Sequence, residues 1–462
     1  MTALPAETTT AVVHELREAL GEKVSTDHGI RQARGHDSSH LPWEAPQAVV
    51  HCASTEDVSA ALAICHRHGV PAVPIAAGTG LEGGANSTAE SIALDLSGMD
   101  KILRVGASDL DATVQAGVMK SSLNAALAVH GLTFPVGPGV DASVGGMAST
   151  GASGTTAVRY GTMKENVLGL TVVMADGTVI TTGGRSRKSA AGYDLTHLFV
   201  GAEGTLGVLT EVTLRVYGIP EATGVAICSF PALEDCTAVV ASTLESGVPI
   251  SRVELLDDVT VDAVNRYSGL GLPVQPTLIF EFEGPAATIA EQAETVRRLV
   301  AGNGGTGWNY ASDPQQIGRI WKARHDALPS YVALVPGSST WSTDVCVPIS
   351  RLAECITLTK ADTDSEGVLA PIVGHVGDGN FHLAFVLPPG DDGVRAKAAA
   401  INDRLVERAL SMGGTSTGEH GIGLGKTGSL AKEHASAIPV MAAIKKALDP
   451  QGILNPGKVL AG

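Results

Sequence analysis

Residues 137–161 read GPGVDASVGGMASTGASGTTAVRYG, seven glycines set among alanine, serine and threonine. A run with so few large side chains cannot build a core of its own. Glycine puts no Cβ between the backbone and a neighbour, so such a run lets a ligand rest on main chain, or lets consecutive N–H groups converge on an anion. The hydroxyls of Ser149, Thr150, Ser153 and Thr155 stand ready as partners. The same character recurs at 78–84 (GTGLEGG) and 201–207 (GAEGTLG), and the three segments together hold 14 glycines. Three such loops in one half of a chain suit an extended dinucleotide better than a single phosphate. Two further segments, 374–379 and 413–425, hold nine more of the 55 glycines. Outside these five the glycine share falls to about 8%, close to the usual level of roughly 7%.

The first cluster satisfies GxGxxG as spelled, from Gly78 to Gly83. A Rossmann site also needs a crossover helix directly after the motif. Here Gly84, Asn86, Ser87 and Thr88 follow, and the next apolar run is the short strand SIALDLS. NAD binding by a Rossmann turn is therefore disfavoured. Gly425-Lys426-Thr427 is a second near miss, since a P-loop needs glycine where His420 stands.

Charge and cysteine usage exclude several classes. With 32 basic and 48 acidic residues the net charge is −16, which argues against nucleic acid and anionic membrane surfaces as partners. Six cysteines without a CxxC pair read as reduced thiols. No run of 18 apolar residues exists to span a bilayer. The N-terminal stretch lacks a basic flank and carries Glu7, Glu15 and Glu18, which predicts neither signal nor transit peptide. The expectation is a cytoplasmic protein, peripheral at the inner face of the membrane if it meets a membrane at all.

Periodicity organises the rest. Residues 9–21 predict an amphipathic helix ending at Gly21. The strand QAVVHCAS, the helix TEDVSAALAICHRHG with Thr55 as N-cap, and the strand PAVPIAAG follow. A helix is expected at 121–131 and dense strands from about 165 to 216, with an Asp176-Gly177 turn. Pro220 closes this half, dividing the chain into 1–220 and 221–462. In the second half the strands VAICSF and TLIFEFEG alternate with helices ALEDCTAVVASTLES and 286–301. That pattern predicts an α+β domain built on an antiparallel sheet with helices on one face.

PIVGHVGDGNFHLAFVL reads as strand, turn, strand. With Asp378-Gly379 as a two-residue turn, His375 faces His382 on one side of the hairpin. Opposed Cβ atoms lie roughly 4.5–5.5 Å apart, close enough for two imidazoles to chelate one divalent ion. GGTSTGEHGIGLGK adds Glu419 as a carboxylate ligand and His420 as a neighbouring imidazole able to take a proton near neutral pH. For an acidic substrate a cation is still required, and Arg324, Arg252 and Lys322 all remain candidates on residue type alone.

The set PIAAGTGLEGG, VGPGVDASVGGMASTGASGTTAVRYGTMKENVLGL, DGTVI and VGAEGTLGVLTEVTLRV resembles the FAD-binding domain of the vanillyl-alcohol oxidase/p-cresol methylhydroxylase superfamily. RVELLDDVTVDAVNRYS, WKARHDAL, STDVCVPISRL, IVGHVGDGNFHL, TGEHGIGLGK and LDPQGILNPGKVL are similar to the FAD-linked D-lactate dehydrogenases of the D-2-hydroxy-acid dehydrogenase group, over about residues 36–460. The resemblance implies a two-subdomain α+β FAD-binding domain followed by an α+β substrate- and metal-binding domain, with the tail from about 448 to 462 returning to the flavin. It implies non-covalent FAD held by Ala77, Gly78, Thr79, Gly80, Leu81, Gly83, Gly84, Pro138, Gly139, Gly145, Gly146, Thr150, Gly151, Ser153, Gly154, Tyr160, Gly161, Glu203, Gly204, Gly207, Val208 and Asn455. His375, His382 and Glu419 would bind a divalent metal (Zn, Mn or Fe), His420 would be the base, Arg324 would grip the substrate carboxylate and Asn380 would line the cavity. The implied partners are a small D-2-hydroxy acid, D-lactate first, and an external electron acceptor: a quinone, a cytochrome or an electron-transfer flavoprotein. A homodimer is the implied assembly.

Two departures narrow the substrate. Members acting on 2-hydroxyglutarate carry a lysine before the aspartate of the STDVCVP-like strand, where Trp341-Ser342-Thr343-Asp344 stands here. They also carry a threonine one turn after the arginine, where this chain has Leu328. Losing a second cationic and hydroxyl grip disfavours a dicarboxylate, leaving a glycolate oxidase subunit as the nearer alternative.

Overall fold

In a computed structural model, residues 6–461 are described, with side chains from residue 11 onward. The N-terminal reading at residues 1–5 lies outside them. The described residues form two compact units: 6–154, 161–219 and 419–461 make the first, and 155–160 with 220–418 make the second.

The first unit contains two larger sheets and a two-stranded pairing of Leu132–Thr133 with Tyr217–Gly218. In one, Ala48–His51, Ile92–Asp95 and Ala72–Ile75 run parallel in that order, with Val24–Ser25 antiparallel at the edge. Thr55–His68 links two of these strands and buries Val58, Ala61, Leu62 and Cys65, a single stripe at helical spacing. Each large side chain in that stripe contributes about 1.5–3 kcal/mol. Its N-cap is Ser54, whose hydroxyl accepts the Asp57 N–H, and not Thr55. The helix closes on Gly69 in the left-handed conformation. The second sheet is antiparallel, in the order Ile102–Gly106, Asp111–Gln115, Val208–Arg215, Val167–Val173, Val179–Gly183. No helix follows the GxGxxG motif; the chain turns through irregular backbone to the strand Ile92–Asp95.

The 137–161 segment is more structured than a ligand-bearing loop. Val144–Thr150 is a two-turn helix that buries Val144, Gly145, Met147 and Ala148. Gly145 is required by packing: a Cβ there would stand 2.5 Å from the Ala116 Cβ. At Gly154 it would meet the Gly137 carbonyl oxygen at 2.2 Å. Part of the glycine surplus thus lets chain lie on chain.

The tail joins the first unit earlier than expected. The return begins at Glu419 rather than near 448, because the 422–424 backbone donates to Glu203 and Glu82, and Asn455 N–H donates to the Ala72 carbonyl. Among the described residues, no helix is long and apolar enough to cross a membrane.

The second unit is built on an antiparallel sheet ordered Thr306–Ala311, Ala222–Ser229, Thr277–Gly284, Ile250–Leu256, Ile372–His375, Asn380–Leu387, Ser339–Ser342, with Val345–Cys346 also on Asn380–Leu387. Helices cover both faces, not one. Ala226, Cys228, Leu278 and Phe280 share a core with Val239, Val296, Ile356 and Leu405. Their neighbours Val225, Ile227 and Ile279 pack on the opposite side with Val261, Trp321 and Tyr331. The reason is legible in VAIC and LIF: an unbroken apolar stretch belongs to a strand buried on both faces, whereas a one-sided sheet alternates. The second covered face carries the site.

Candidate functional site

Within the second unit, Glu254 stands opposite His375 across the ladder between Ile250–Leu256 and Ile372–His375. Its carboxylate is fully buried and bridges two groups. Oε1 accepts from His375 Nδ1 at 2.7 Å, and Oε2 accepts from Arg324 Nε at 2.8 Å. Burial pushes the Glu254 carboxyl up, but His375 and Arg324 together outweigh it and hold the group ionised, below the usual carboxylate range. Arg324 reaches it from the last turn of Pro314–His325, a helix capped by Asp313. The rival cations are committed elsewhere: Arg252 pairs with Glu281 at 3.0 Å, and Lys322 pairs with Asp326.

The hairpin register differs from the two-residue turn expected. His375 is paired with Asn380 and Val373 with His382, so the turn has four residues, Val376–Gly379. The longer turn arises because Val376 is fully buried and Gly377 packs against Val253 and Val158. The slip is by two positions, so both histidines keep the same face, with ring centroids 5.3 Å apart at 78°. His382 Nδ1 donates to the Thr343 carbonyl at 2.7 Å. Both rings therefore have Nδ1–H committed to an acceptor, which makes Nε2 the nitrogen a metal would take.

Asn380 is held by its amide: Nδ2 donates to Asp344 Oδ1 and to the Val345 carbonyl, both at 2.8 Å. Its Oδ1 is buried and without a hydrogen-bond partner. Asp344 also accepts from the Thr417 hydroxyl at 2.8 Å. Trp341 sits beside Phe385, ring centroids 5.5 Å apart, and Leu328 is half exposed.

In the first unit, loop 76–88 leaves the carboxyl end of Ala72–Ile75, where open parallel sheets place ligands. The expected flavin residues separate into two groups. Ala77, Gly78, Thr79, Gly80, Leu81, Gly84, Pro138, Gly139, Gly146, Thr150 and Gly151 present accessible atoms. Gly83, Gly145, Ser153, Gly154, Gly204, Gly207 and Val208 are buried, and Gly161 is partly exposed; of the buried ones, Gly204 lies against Pro74 and Gly207 against Val172. Tyr160 falls in the second unit, where its hydroxyl donates to Glu283 at 2.8 Å. Glu203 directs its carboxylate to the Ile422 and Gly423 N–H groups at 2.7 and 2.9 Å, and burial pushes that carboxyl up to about 7. Asn455 Nδ2 donates to the Gly84 and Glu203 carbonyls at 2.8 and 2.7 Å, while its buried Oδ1 has no partner. His420 lies 4.0 Å from Glu82 and 3.8 Å from Glu419.

Sequence reasoning missed Glu254, Asp344 and Lys458. Lys458, in the NPGK tail, is buried and donates to the Asn86 carbonyl at 2.6 Å; desolvation lowers it to about 8. The signal for all three was weak, a charged residue inside an otherwise apolar or tail segment.

Glu254→Gln removes the anion between a histidine and an arginine. Breaking a buried ionic contact from one side costs about 3–5 kcal/mol, read as a lower denaturation midpoint. Since the folded-state pKa is depressed, the carboxylate's contribution is present above the ordinary carboxylate range of about 4.3 and is lost as pH falls below it. The deficit of the variant should therefore shrink in acid. A constant deficit down to pH 3 would show that charge is not what Glu254 supplies.

Residues 46–183 match the family model described as FAD binding domain, and residues 219–459 match that of FAD linked oxidases, C-terminal domain. A Danio rerio protein named probable D-lactate dehydrogenase, mitochondrial, is 48% identical over 454 residues, covering 97% of this chain and 91% of its own. An Arabidopsis thaliana protein named D-lactate dehydrogenase [cytochrome], mitochondrial, is 42% identical, with 97% and 80% covered. Among solved structures, 4-ethylphenol oxidase from Gulosibacter chungangensis superposes with a TM-score of 0.81 at 19% identity, covering 99% of this chain and 98% of that one.

Proposed function

The chain belongs to the FAD-linked D-lactate dehydrogenases, with a fold of the vanillyl-alcohol oxidase/p-cresol methylhydroxylase type, and from that premise we propose that it oxidises D-lactate to pyruvate with bound FAD. The observation that carries the substrate assignment is the Glu254 bridge, which ties an arginine and a histidine into one rigid polar group.

Residues on hand fit both absent groups. For FAD, Asn455 offers a buried, unused acceptor between the carbonyls of two flavin loops. FAD when bound accepts the hydride from the substrate Cα. For a divalent metal, His375 and His382 have Nδ1 committed to Glu254 and Thr343, and Glu419 would be the third ligand. Such an ion supplies Lewis acidity at the substrate hydroxyl.

The protein's own share is positioning and proton transfer. Arg324, oriented by Glu254, pairs with the substrate carboxylate through its planar fork. Asn380, fixed by Asp344, lines the substrate cavity and leaves the single hydroxyl proton to the base. His420 takes the hydroxyl proton as the C–H bond breaks. Trp341 and Leu328 add neither a cation nor a hydroxyl for a second carboxylate, which supports a monocarboxylic acid. Electrons leave to an external acceptor, a quinone, a cytochrome or an electron-transfer flavoprotein. Anaerobic reduction of the flavin by D-lactate, glycolate and D-2-hydroxyglutarate in parallel tests the reading; fastest reduction by either of the last two would overturn the substrate assignment.

A further inference from the structure

The loop that carries Glu419 and His420 has no regular secondary structure from 419 to 422, yet it is anchored in the first unit at two points. One is Glu82, whose carbonyl oxygen accepts from Leu424 N–H at 2.7 Å and whose carboxylate meets Lys426 at 3.1 Å. The other is Glu203, and its surroundings are unusual. It is a buried glutamate in left-handed backbone, φ +50°, a conformation that residues other than glycine adopt at a cost. Its backbone N–H donates to the Ser149 carbonyl at 2.8 Å. Its own carbonyl accepts from Asn455, a second left-handed residue at φ +41°, which also holds the Gly84 carbonyl. Its two carboxylate oxygens take the N–H groups of Ile422 and Gly423.

One residue therefore joins all three glycine-rich flavin loops to the loop of the base. We propose that Glu203 is a positioning residue that fixes His420 for proton transfer and couples that placement to FAD occupancy. The carboxylate is spent on protein N–H groups, so its contribution to the reaction runs through the 421–423 backbone. A glycine at 203 would satisfy the backbone without strain; a glutamate there is explained by the two backbone N–H groups its carboxyl oxygens accept. With FAD ordering the loops around Gly84, Ser149 and Glu203, the same contacts order residues 421–423; without FAD that support loosens. This inference rests on His420 being the base.

The test is hydrogen–deuterium exchange of the 419–426 segment in the full-length protein, with and without FAD, beside steady-state kinetics and FAD affinity. In the unaltered protein FAD should slow exchange of this segment. Glu203→Gln keeps size and backbone but turns an NH2 toward an N–H group. It should abolish the FAD-dependent slowing and lower kcat by up to about 10²-fold, the scale of an ångström-level misplacement, while KM for D-lactate moves less than threefold. Glu203→Asp withdraws the carboxylate by one methylene from the Ile422 and Gly423 N–H groups while keeping a residue that tolerates left-handed backbone; it should give the same signature if Glu203→Gln folds poorly. Retention of kcat with lost protection overturns the positioning role, and unchanged exchange overturns the coupling. If His420→Ala keeps full turnover, the base assignment fails, and the exchange result still decides the coupling.

Discussion

Replacing His420 by alanine lowers D-lactate turnover by about 10² to 10⁴-fold, the usual contribution of a placed general base, with FAD affinity unchanged. The effect falls on kcat and kcat/KM together, because a base acts in the transition state and not on bound substrate. His420 sits between Glu82 and Glu419 in a segment whose backbone is clamped from two sides, so a truncated side chain leaves its support standing. Stopped-flow measurement of flavin reduction isolates the step. Reduction at the unaltered rate would remove His420 from the mechanism and move attention to its neighbour Glu82.

Removing the divalent metal proposed for this site while FAD stays bound is expected to lower turnover by about 10² to 10³-fold, which corresponds to the several kcal/mol a Lewis acid supplies. Addition of Zn, Mn or Fe should restore it. The expectation stems from the two histidines of the hairpin, each with Nδ1 committed to an acceptor inside its own unit. His382→Ala should mimic depletion without changing the flavin spectrum. Full activity in protein shown by elemental analysis to be metal-free would mean that Glu254 and Thr343 orient these rings for a structural purpose.

How much of this was legible in the sequence depends on the range of the contact. The glycine loops, the hairpin and the TGEH segment are local patterns, and each could be read from neighbouring residues. The hairpin register shows where local reading stops. Asp378-Gly379 is a strong turn signal, yet burial of Val376 lengthens the turn by two residues. An even slip preserves the face, so the histidine pair survived the error; a slip by one would have separated them.

Glu254 was out of reach for a different reason. RVELL gives no hint that its glutamate meets a histidine 121 positions later, because that depends on which strands are neighbours in the sheet. Helices on both faces of the sheet were legible in principle, since LIF and VAIC lack the alternation of a one-sided sheet. The glycine surplus likewise divided only in three dimensions, into backbone left accessible near Gly78 and Gly139 and backbone pressed against Ala116 or Pro74.

The most direct measurement is the anaerobic absorbance spectrum of the FAD-loaded protein on addition of D-lactate and, separately, L-lactate. Bleaching of the oxidised flavin by D-lactate at a rate no slower than turnover, with L-lactate slow or inert, is the predicted result. A flavin that stays oxidised in D-lactate, or that responds equally to both enantiomers, would contradict the account.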